Sequence, residues 1–238
     1  MKDHETKAYY DTFSAGYEDH RHDGYHRWLD TRSVGLVKDL ASGARVLEVG
    51  CGTGLILRDV TPLAGSATGL DLSHGMLRAA RSRSLRVVQG SATALPFPDG
   101  HFDLVYSFKV LAHVPAIGDA VAEMARVTRP GGRMMLEFYN RRSLRYLVRR
   151  LRPPGKIGPG TTEEDVFTRF DNARELEALL PPDVRLERVE GLRVATLAPQ
   201  LFAVPGLGRA WARLEDALSQ SPLRHFAGFL VLVLHKGA

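Results

Sequence analysis

The 238-residue sequence has one cysteine, Cys51, and no long apolar run. A single cysteine excludes an internal disulfide, and no partner base is visible for it, so we expect a small residue in a tight turn rather than a nucleophile. No segment approaches the roughly 18 consecutive apolar residues of a membrane span, and the start, MKDHETKAYYDTF, has no apolar region of a signal peptide. We therefore expect a cytoplasmic protein.

Acidic residues are missing from one segment of the chain. Residues 141–156, RRSLRYLVRRLRPPGK, contain seven basic side chains and no acid. Outside this segment, 25 basic residues stand against 27 acidic ones, so the formal net charge of +5 comes from the segment alone. A general attraction to nucleic acid is therefore not indicated, and the question becomes what this segment contacts.

Short apolar segments alternate with amphipathic ones along most of the chain. Parallel strands are predicted where Val- and Leu-rich runs end near Gly, Asp or Ser, at 44–50, 66–73, 85–90, 102–108 and 132–139. Helices are predicted at 54–63, at 73–83 with Ser73 as N-cap, at 116–129 and, capped by Asp171 or Asn172, at 171–180. Two more strands are predicted at 184–192 and 226–236, and 152–162 is predicted to be a mobile loop. The alternation indicates a doubly wound α/β sheet.

The first predicted strand ends in VLEVGCGTG, residues 46–54. Glycines at the carboxyl end of such a strand allow a ligand to lie against the main chain at the N-terminus of the next helix. The spacing is G-x-G-x-G, and Glu48 precedes it. Because a carboxylate repels a phosphate and attracts an ammonium group, this turn favours a ligand that carries an amine.

Four segments together resemble a known family. VLEVGCGTG, GLDLSHGML, ALPFPDGHFDLVYSFKVLAHV and RVTRPGGRMMLEF are similar, in order and spacing, to the motifs of class I S-adenosylmethionine-dependent methyltransferases of the small-molecule type, methyltransferase type 11-like. The resemblance is close over residues 40–140. It implies S-adenosylmethionine as cofactor and a mostly parallel, seven-stranded, Rossmann-like sheet with a last antiparallel strand. It also implies a helical cap from the N-terminal segment and from insertions after strands 5 and 6.

This resemblance divides the chain within one domain. Residues 1–40 are expected to form an N-terminal helical lid, and residues 41–140 the cofactor-binding core. Residues 141–170 are expected to be a basic cap insertion. Residues 171–238 then complete the sheet and add a second cap element at about 194–222.

The resemblance also assigns cofactor contacts. The backbone of Gly50, Cys51 and Gly52 passes under the methionine part, with Glu48 near its ammonium group. Asp71 accepts hydrogen bonds from both ribose hydroxyls, although it could instead cap the next helix. The remaining contacts are Leu72 and Met76 on the adenine, Ser91 and Ala92 at its edge, and Ser107 and Phe108 at the methionine end. Met76 is explained nearly as well as a core residue.

Two of the positions in this pattern, Ser91 and His113, bear on cofactor binding and on catalysis. Family members usually carry an acid where this sequence has Ser91; a hydroxyl can still accept the hydrogen bond of the adenine amino group, without the contribution of a charge. His113 matches a histidine that the family often keeps, either as a catalytic residue or as a helix-start residue bonded to the backbone.

The N-terminal segment from residue 9 to residue 28 is rich in aromatic residues, as expected of a lid over a sulfonium and an apolar acceptor. Tyr17 is the first candidate for the methionine end of the cofactor. His20, His22 and His26 are candidates for a general base or for surface residues. Three histidines without cysteine at this spacing are a poor metal site, so no metal is predicted.

The basic segment predicts a helix with an apolar stripe of Leu144, Leu147, Val148 and Leu151 and arginines along its flank at 141, 145, 149 and 152. Such a helix could pack its stripe on the protein's own core. Alternatively, the segment could contact an anionic lipid surface, a carrier protein or an acidic substrate.

The sequence thus predicts a methyltransferase that acts at oxygen or nitrogen, rather than carbon, of a small aromatic, quinone, polyketide or lipid-like acceptor. Two alternatives remain open at this point: an RNA or protein methyltransferase, and a module that binds the cofactor without catalysis. Nucleic acid is not favoured as a partner, because no appended RNA-binding module and no continuous basic track are visible.

Overall fold

The computed structural model describes residues 3–19, 24–151, 156–158, 161–162 and 166–237. Within these residues, one sheet is built from β1 (Arg45–Val49), β2 (Ser66–Asp71), β3 (Val87–Gln89), β4 (Phe102–Ser107), β5 (Thr128–Tyr139), β6 (Val184–Leu192) and β7 (Phe229–Lys236). A separate two-stranded ribbon pairs Lys156–Gly158 with Thr161–Thr162.

Helices connect and flank the strands. The α-helices are α1 (Asp3–Phe13), α2 (Gly24–Ala41), α3 (Leu55–Val60), α4 (His74–Ser82), α5 (Ile117–Val127), α6 (Leu144–Leu151), α7 (Ala173–Glu177) and α8 (Leu207–Gln220). Single 3₁₀ turns occur at Ser14–Gly16, Leu111–His113, Pro199–Ala203 and Pro222–Phe226. No helix of the described residues is long and apolar enough to cross a bilayer.

The strand order in the sheet is β3-β2-β1-β4-β5-β7-β6. Strands β1 to β5 pair in parallel, whereas β7 runs antiparallel to both β5 and β6. The predicted α/β fold with a last antiparallel strand is therefore confirmed. From β1 the chain adds β2 and then β3 on one side, and it then crosses to β4 on the other side of β1. The switch point of the sheet, where such folds bind ligands, therefore lies between β1 and β4.

Both faces of the sheet are buried, which explains the nearly continuous apolar runs of the parallel strands. One face packs Leu47, Val105 and Leu136 against α5, including Met124. The opposite face packs against α2 and α3. The core is thus divided by the sheet into two layers, and the ends of the strands remain available for a site.

The helices predicted at 54–63, 73–83, 116–129 and 171–180 are all shorter in the structure, where they are α3, α4, α5 and α7. Helix α5 ends at Val127 because strand β5 begins at the next residue, Thr128. Strand β5 contains Gly131, whose φ is +72°. Helix α7 begins after Asn172, whose side chain accepts hydrogen bonds from the backbone N–H groups of Arg174 and Glu175. Of the predicted mobile loop 152–162, the ribbon strands are ordered β structure, and the rest lies outside the described residues.

Helix α6 forms as predicted, but its apolar stripe does not pack on the core. Leu144, Leu147 and Leu151 are 43%, 54% and 80% exposed. Instead, the guanidinium of Arg145 lies over the ring of Tyr139, at 4.7 Å from the ring centre. The interior beside α6 is lined by aromatic faces, which attract a cation, so the basic side of the helix faces inward.

Candidate active site

One cavity lies at the carboxyl ends of β1, β2 and β4, at the switch point of the sheet. Its wall includes most of the residues expected from the sequence: Tyr17, Glu48, Gly50, Cys51, Gly52, Asp71, Leu72, Met76, Ser91, Ala92, Phe108 and His113. These residues come from seven separate parts of the chain. The cavity also contains side chains that sequence reasoning did not assign: Tyr10, Asp30, Thr93 and Lys109.

The three glycines of the first turn serve two different purposes. All have positive φ, at +78°, +54° and +83° for Gly50, Gly52 and Gly54. A Cβ on Gly50 would lie 2.2 Å from a methyl group of Val110, and one on Gly54 would lie 2.4 Å from Leu85. Next to Gly52 the nearest atom is Cε1 of Tyr17 at 4.0 Å. Gly50 and Gly54 therefore serve internal packing, and Gly52 alone keeps backbone open to a ligand.

Asp71, at the end of β2, fixes the glycine turn. Its Oδ2 accepts a hydrogen bond from the backbone N–H of Gly52 at 2.8 Å, and its Oδ1 accepts one from Ser73 at 2.9 Å. Each carboxylate oxygen has a second lone pair, so both can also accept from hydroxyls of a ligand. Ser73 caps α4 as predicted, because its hydroxyl accepts from the backbone N–H of Met76 at 3.1 Å.

Glu48 is a buried acid in the cavity wall, 2% exposed. The hydroxyl of Tyr106 donates to its Oε2 at 3.1 Å. Burial raises the pKa of Glu48 to about 8, although the Tyr106 hydrogen bond and the Lys109 charge act in the opposite direction. A cation that enters the cavity would stabilise the ionised carboxylate and offset the cost of its burial.

A second polar cluster lies beside Glu48. The Lys109 ammonium forms an ion pair with Asp30 of α2, and the backbone N–H of Lys109 donates to Oε1 of Glu137 at 3.0 Å. Lys109 holds φ at +62°, a conformation that a non-glycine residue adopts at a cost. Burial raises the pKa of Glu137 to about 7. In the sequence, this cluster is indicated only weakly, by a lysine within the mostly apolar run SFKVL.

Ser91 takes the position where the family resemblance implies an acid. Its hydroxyl shares a hydrogen bond with the Thr93 hydroxyl at 2.8 Å, and it accepts one from the backbone N–H of Thr93 at 3.3 Å. Both side chains line the cavity. This edge of the cavity therefore presents two neutral hydroxyls rather than a carboxylate.

The N-terminal segment lies across the glycine turn and the start of α4. Oδ1 of Asp11 accepts hydrogen bonds from the Ser73 hydroxyl at 2.7 Å and from the backbone N–H of Gly75 at 2.9 Å. Further along, Glu18 pairs with Arg83 at 2.6 Å. These contacts hold Tyr17 at the cavity wall.

Two predicted site residues, Ser107 and His26, are described by the structure and do not line the cavity. Ser107 is fully buried, and its hydroxyl donates to the carbonyl of Val49 at 2.8 Å, so it joins two strands rather than lining the wall. His26, on α2, packs its ring against Tyr25 at 5.2 Å and is not part of the wall. His20 and His22 lie outside the described residues.

His113 also lines the cavity. Its Nδ1 is 2.9 Å from the carbonyl oxygen of Phe167. Because a carbonyl can only accept, Nδ1 carries the proton and Nε2 has the lone pair, which faces the Tyr139 hydroxyl at 3.4 Å. Burial lowers the pKa of His113, so the ring is neutral and Nε2 can accept a proton.

Cys51 is packed as a small core residue. It is 6% exposed, and a Cβ on Gly69 would lie 2.6 Å from its sulfur. Burial raises the pKa of the thiol, which disfavours the thiolate. The backbone of Cys51 therefore lines the cavity, and its buried thiol does not serve as a nucleophile there.

Comparison with known proteins agrees with this geometry. A family model described as a methyltransferase domain matches residues 47–136. The chain is 32% identical over 174 residues to a demethylmenaquinone methyltransferase of Bacillus licheniformis, an alignment that covers 64% of this chain and 74% of that protein. It is 33% identical over 130 residues to a ubiquinone biosynthesis O-methyltransferase of Thiobacillus denitrificans, which covers 51% of this chain and 53% of that relative, so the chain spans about half of that relative's length.

The fold is also shared with solved structures. An S-adenosylmethionine-dependent methyltransferase from Thermotoga maritima superimposes with a TM-score of 0.67 at 20% identity, over 95% of this chain and 98% of that one. At this identity the likeness describes the arrangement of strands and helices.

Proposed function

The chain belongs to the class I S-adenosylmethionine-dependent methyltransferases, and we propose that it methylates a small aromatic or lipid-like acceptor at oxygen or nitrogen. The observation that carries the proposal is the convergence of Glu48, Gly52 and Asp71 on one cavity at the switch point of the sheet. Glu48 supplies a carboxylate for an amine, Gly52 supplies open backbone, and Asp71 supplies a carboxylate for a diol.

The residues of the cavity fit S-adenosylmethionine. Glu48 would bind its ammonium group, and Asp71 its ribose hydroxyls. Met76 and Leu72 offer apolar surface for the adenine, with Ser91 at its edge. When bound, the cofactor supplies a methyl group on a positively charged sulfur, which needs no activation by the protein.

The chain's own residues then have three tasks. The first is to exclude water, for which the segment from α1 to Tyr17 covers the glycine turn. The second is to surround a cation with aromatic faces, which Tyr10 and Tyr17 provide. The third is to remove the proton of a neutral hydroxyl or amine of the acceptor, for which Nε2 of His113 has the lone pair.

The names of the relatives support a small acceptor. One relative is named for ubiquinone biosynthesis and the other for demethylmenaquinone, which are small molecules and not RNA or protein. The two insertions after β5 and β6 would form the acceptor chamber together with the N-terminal segment, and residues 41–140 would bind the cofactor.

The assignment of Asp71 can be tested by calorimetry with S-adenosylmethionine. Asp71→Ala removes an acceptor of two hydroxyls and should weaken binding by about 2 kcal/mol. Asp59→Ala is the matched control, since Asp59 is exposed on α3, pairs with its neighbour Arg58 and does not line the cavity. Equal affinity of the two variants would remove Asp71 from the site.

Turnover can be tested separately with a panel of phenols, quinols and aromatic amines, by following the release of S-adenosylhomocysteine. We expect release with at least one member and a reduced rate in His113→Gln. A protein that binds the cofactor but releases no product with any of these acceptors would contradict the proposed reaction.

A further inference from the structure

Arg145 of α6 is turned into the protein, and no acid of the described residues serves as its counter-ion. Its guanidinium lies 4.7 Å from the ring centre of Tyr139 and 5.1 Å from that of Phe229. Its Nη1 is buried and has no hydrogen-bond partner. It forms no ion pair with any residue that the structure describes. Aromatic faces attract a guanidinium, but they do not satisfy its N–H groups.

A second guanidinium lies in the same region. Arg193, which follows β6, stands over the ring of Tyr25 at 5.0 Å, and its Nε donates to the carbonyl of Thr196 at 2.9 Å. The stems of the two arginines meet at Gly228: a Cβ built there would lie 3.5 Å from Cδ of Arg145 and 3.6 Å from Cδ of Arg193. Two like charges are therefore gathered in one largely buried place.

Glu137 and Glu215 interact electrostatically with Arg145 and Arg193, but neither forms an ion pair with them in the described part of the chain. Oε1 of Glu137 accepts from the backbone of Lys109, and burial of this carboxyl favours its neutral form. Glu215 uses its carboxylate on the backbone N–H groups of Val194 and Ala195, at 2.7 and 3.0 Å. Burying two uncompensated cations together is costly, so an anion from outside would be favoured here.

This basic cluster adjoins the catalytic cavity. The guanidinium of Arg145 lies over the face of the Tyr139 ring. The hydroxyl of the same ring faces Nε2 of His113, which lines the cavity. Phe170 packs 5.6 Å from Tyr139. Tyr139 and Phe170 are both partly exposed, so an aromatic molecule packed on their exposed faces would have one end at the arginines and the other towards His113.

We propose that Arg145 and Arg193 bind a carboxylate of the acceptor, so that the substrates are aromatic carboxylic acids. The planar guanidinium matches the two oxygens of a carboxylate, and the rings of Tyr139 and Phe170 take the aromatic part. The inference rests on the proposed methyl transfer and deepens it, since it selects the acidic substrate among the partners considered for the basic segment.

The test compares two probes that differ only in charge, 2-naphthoate and 2-naphthamide, by calorimetry on the protein saturated with S-adenosylhomocysteine. The wild type should bind naphthoate at least tenfold more tightly. Arg145→Gln should remove this preference. Arg150→Gln, on the exposed side of the same helix, should keep it. Equal binding of the two probes by the wild type, or a full preference in Arg145→Gln, would overturn the subsite.

Arg193→Gln provides a second route if Arg145→Gln fails to fold, and an Arg193→Gln protein that keeps the whole preference would overturn the inference. Turnover separates the two proposals. A naphthoate preference in a protein that methylates nothing would overturn the proposed function and support the subsite. Turnover of neutral phenols without any naphthoate preference would support the function and overturn the subsite.

Discussion

The carboxylate of Asp11 accepts a hydrogen bond from the hydroxyl of Ser73 at 2.7 Å. Ser73 begins the helix that follows Asp71, whose own carboxylate holds the Gly52 backbone at 2.8 Å. The N-terminal segment is therefore attached to the same strand end that presents the proposed ribose acceptor. Closure of this segment and binding of the cofactor should consequently be coupled.

Asp11→Ala should loosen the N-terminal segment. The change removes hydrogen bonds from Ser73 and Gly75 to a charged acceptor, each of which contributes about 1 to 2 kcal/mol to the closed arrangement. We expect faster hydrogen exchange over residues 3–19 and weaker S-adenosylmethionine binding. Asp19→Ala, an exposed acid of the same segment, is the control. Unchanged exchange and affinity in Asp11→Ala would show that the segment is not a lid.

Alanine at Gly50 and at Gly52 should have different consequences. Both positions have positive φ, so both variants carry a similar backbone strain of about 1 to 2 kcal/mol. Only Gly50→Ala adds a clash with Val110, and only Gly52→Ala places a methyl group in the open cavity. Thermal unfolding should show the larger loss for Gly50→Ala. Gly52→Ala should retain the fold and lose cofactor affinity; normal affinity in that variant would contradict the account.

Glu48 should make the protein less stable as the pH rises. Its pKa is raised from 4.5 to about 8 on folding, so between these values the native state holds a proton that the unfolded chain has lost. The unfolded state then binds fewer protons, and the free energy of unfolding falls with pH through this window. Glu137, with a raised pKa of about 7, contributes in the same direction.

Urea unfolding at about pH 5 and about pH 8 measures this effect. Glu48→Gln should lose less stability between the two pH values than the wild type does, whereas Glu187→Gln, an exposed acid of β6, should behave like the wild type. If Glu48→Gln loses as much stability as the wild type, Glu48 is ionised in the free protein.

Local sequence patterns were sufficient for the sheet and for one wall of the cavity. The apolar runs, the glycine turn and the cap at Ser73 are each encoded within a few neighbouring residues, and the alternation of strands with helices predicted the α/β class, whereas the arrangement of seven strands came from the family resemblance. The polar cluster beside Glu48 was missed because Lys109 meets Asp30 across 79 positions of the chain. No spacing rule links a lysine in one loop to an acid on a distant helix.

The orientation of α6 could not be predicted for a related reason. A helical period shows that Leu144, Leu147 and Leu151 share one side, but it does not show which side faces the protein. That choice depends on the rings of Tyr139 and Phe229, which come from strands far apart in sequence. The role of Ser107 could not be predicted for the same reason, because its hydroxyl donates to a carbonyl on another strand.

The central claim, methyl transfer to a small molecule, is tested most directly by following a labelled methyl group. The protein is incubated with S-adenosylmethionine labelled at the S-methyl group and with a cell extract separated into small-molecule, RNA and protein fractions. The account predicts label in the small-molecule fraction, on compounds heavier by one methylene unit, and much less of it in the Asp71→Ala variant at a cofactor concentration below saturation. Label confined to RNA or protein, or no label in any fraction, would contradict it.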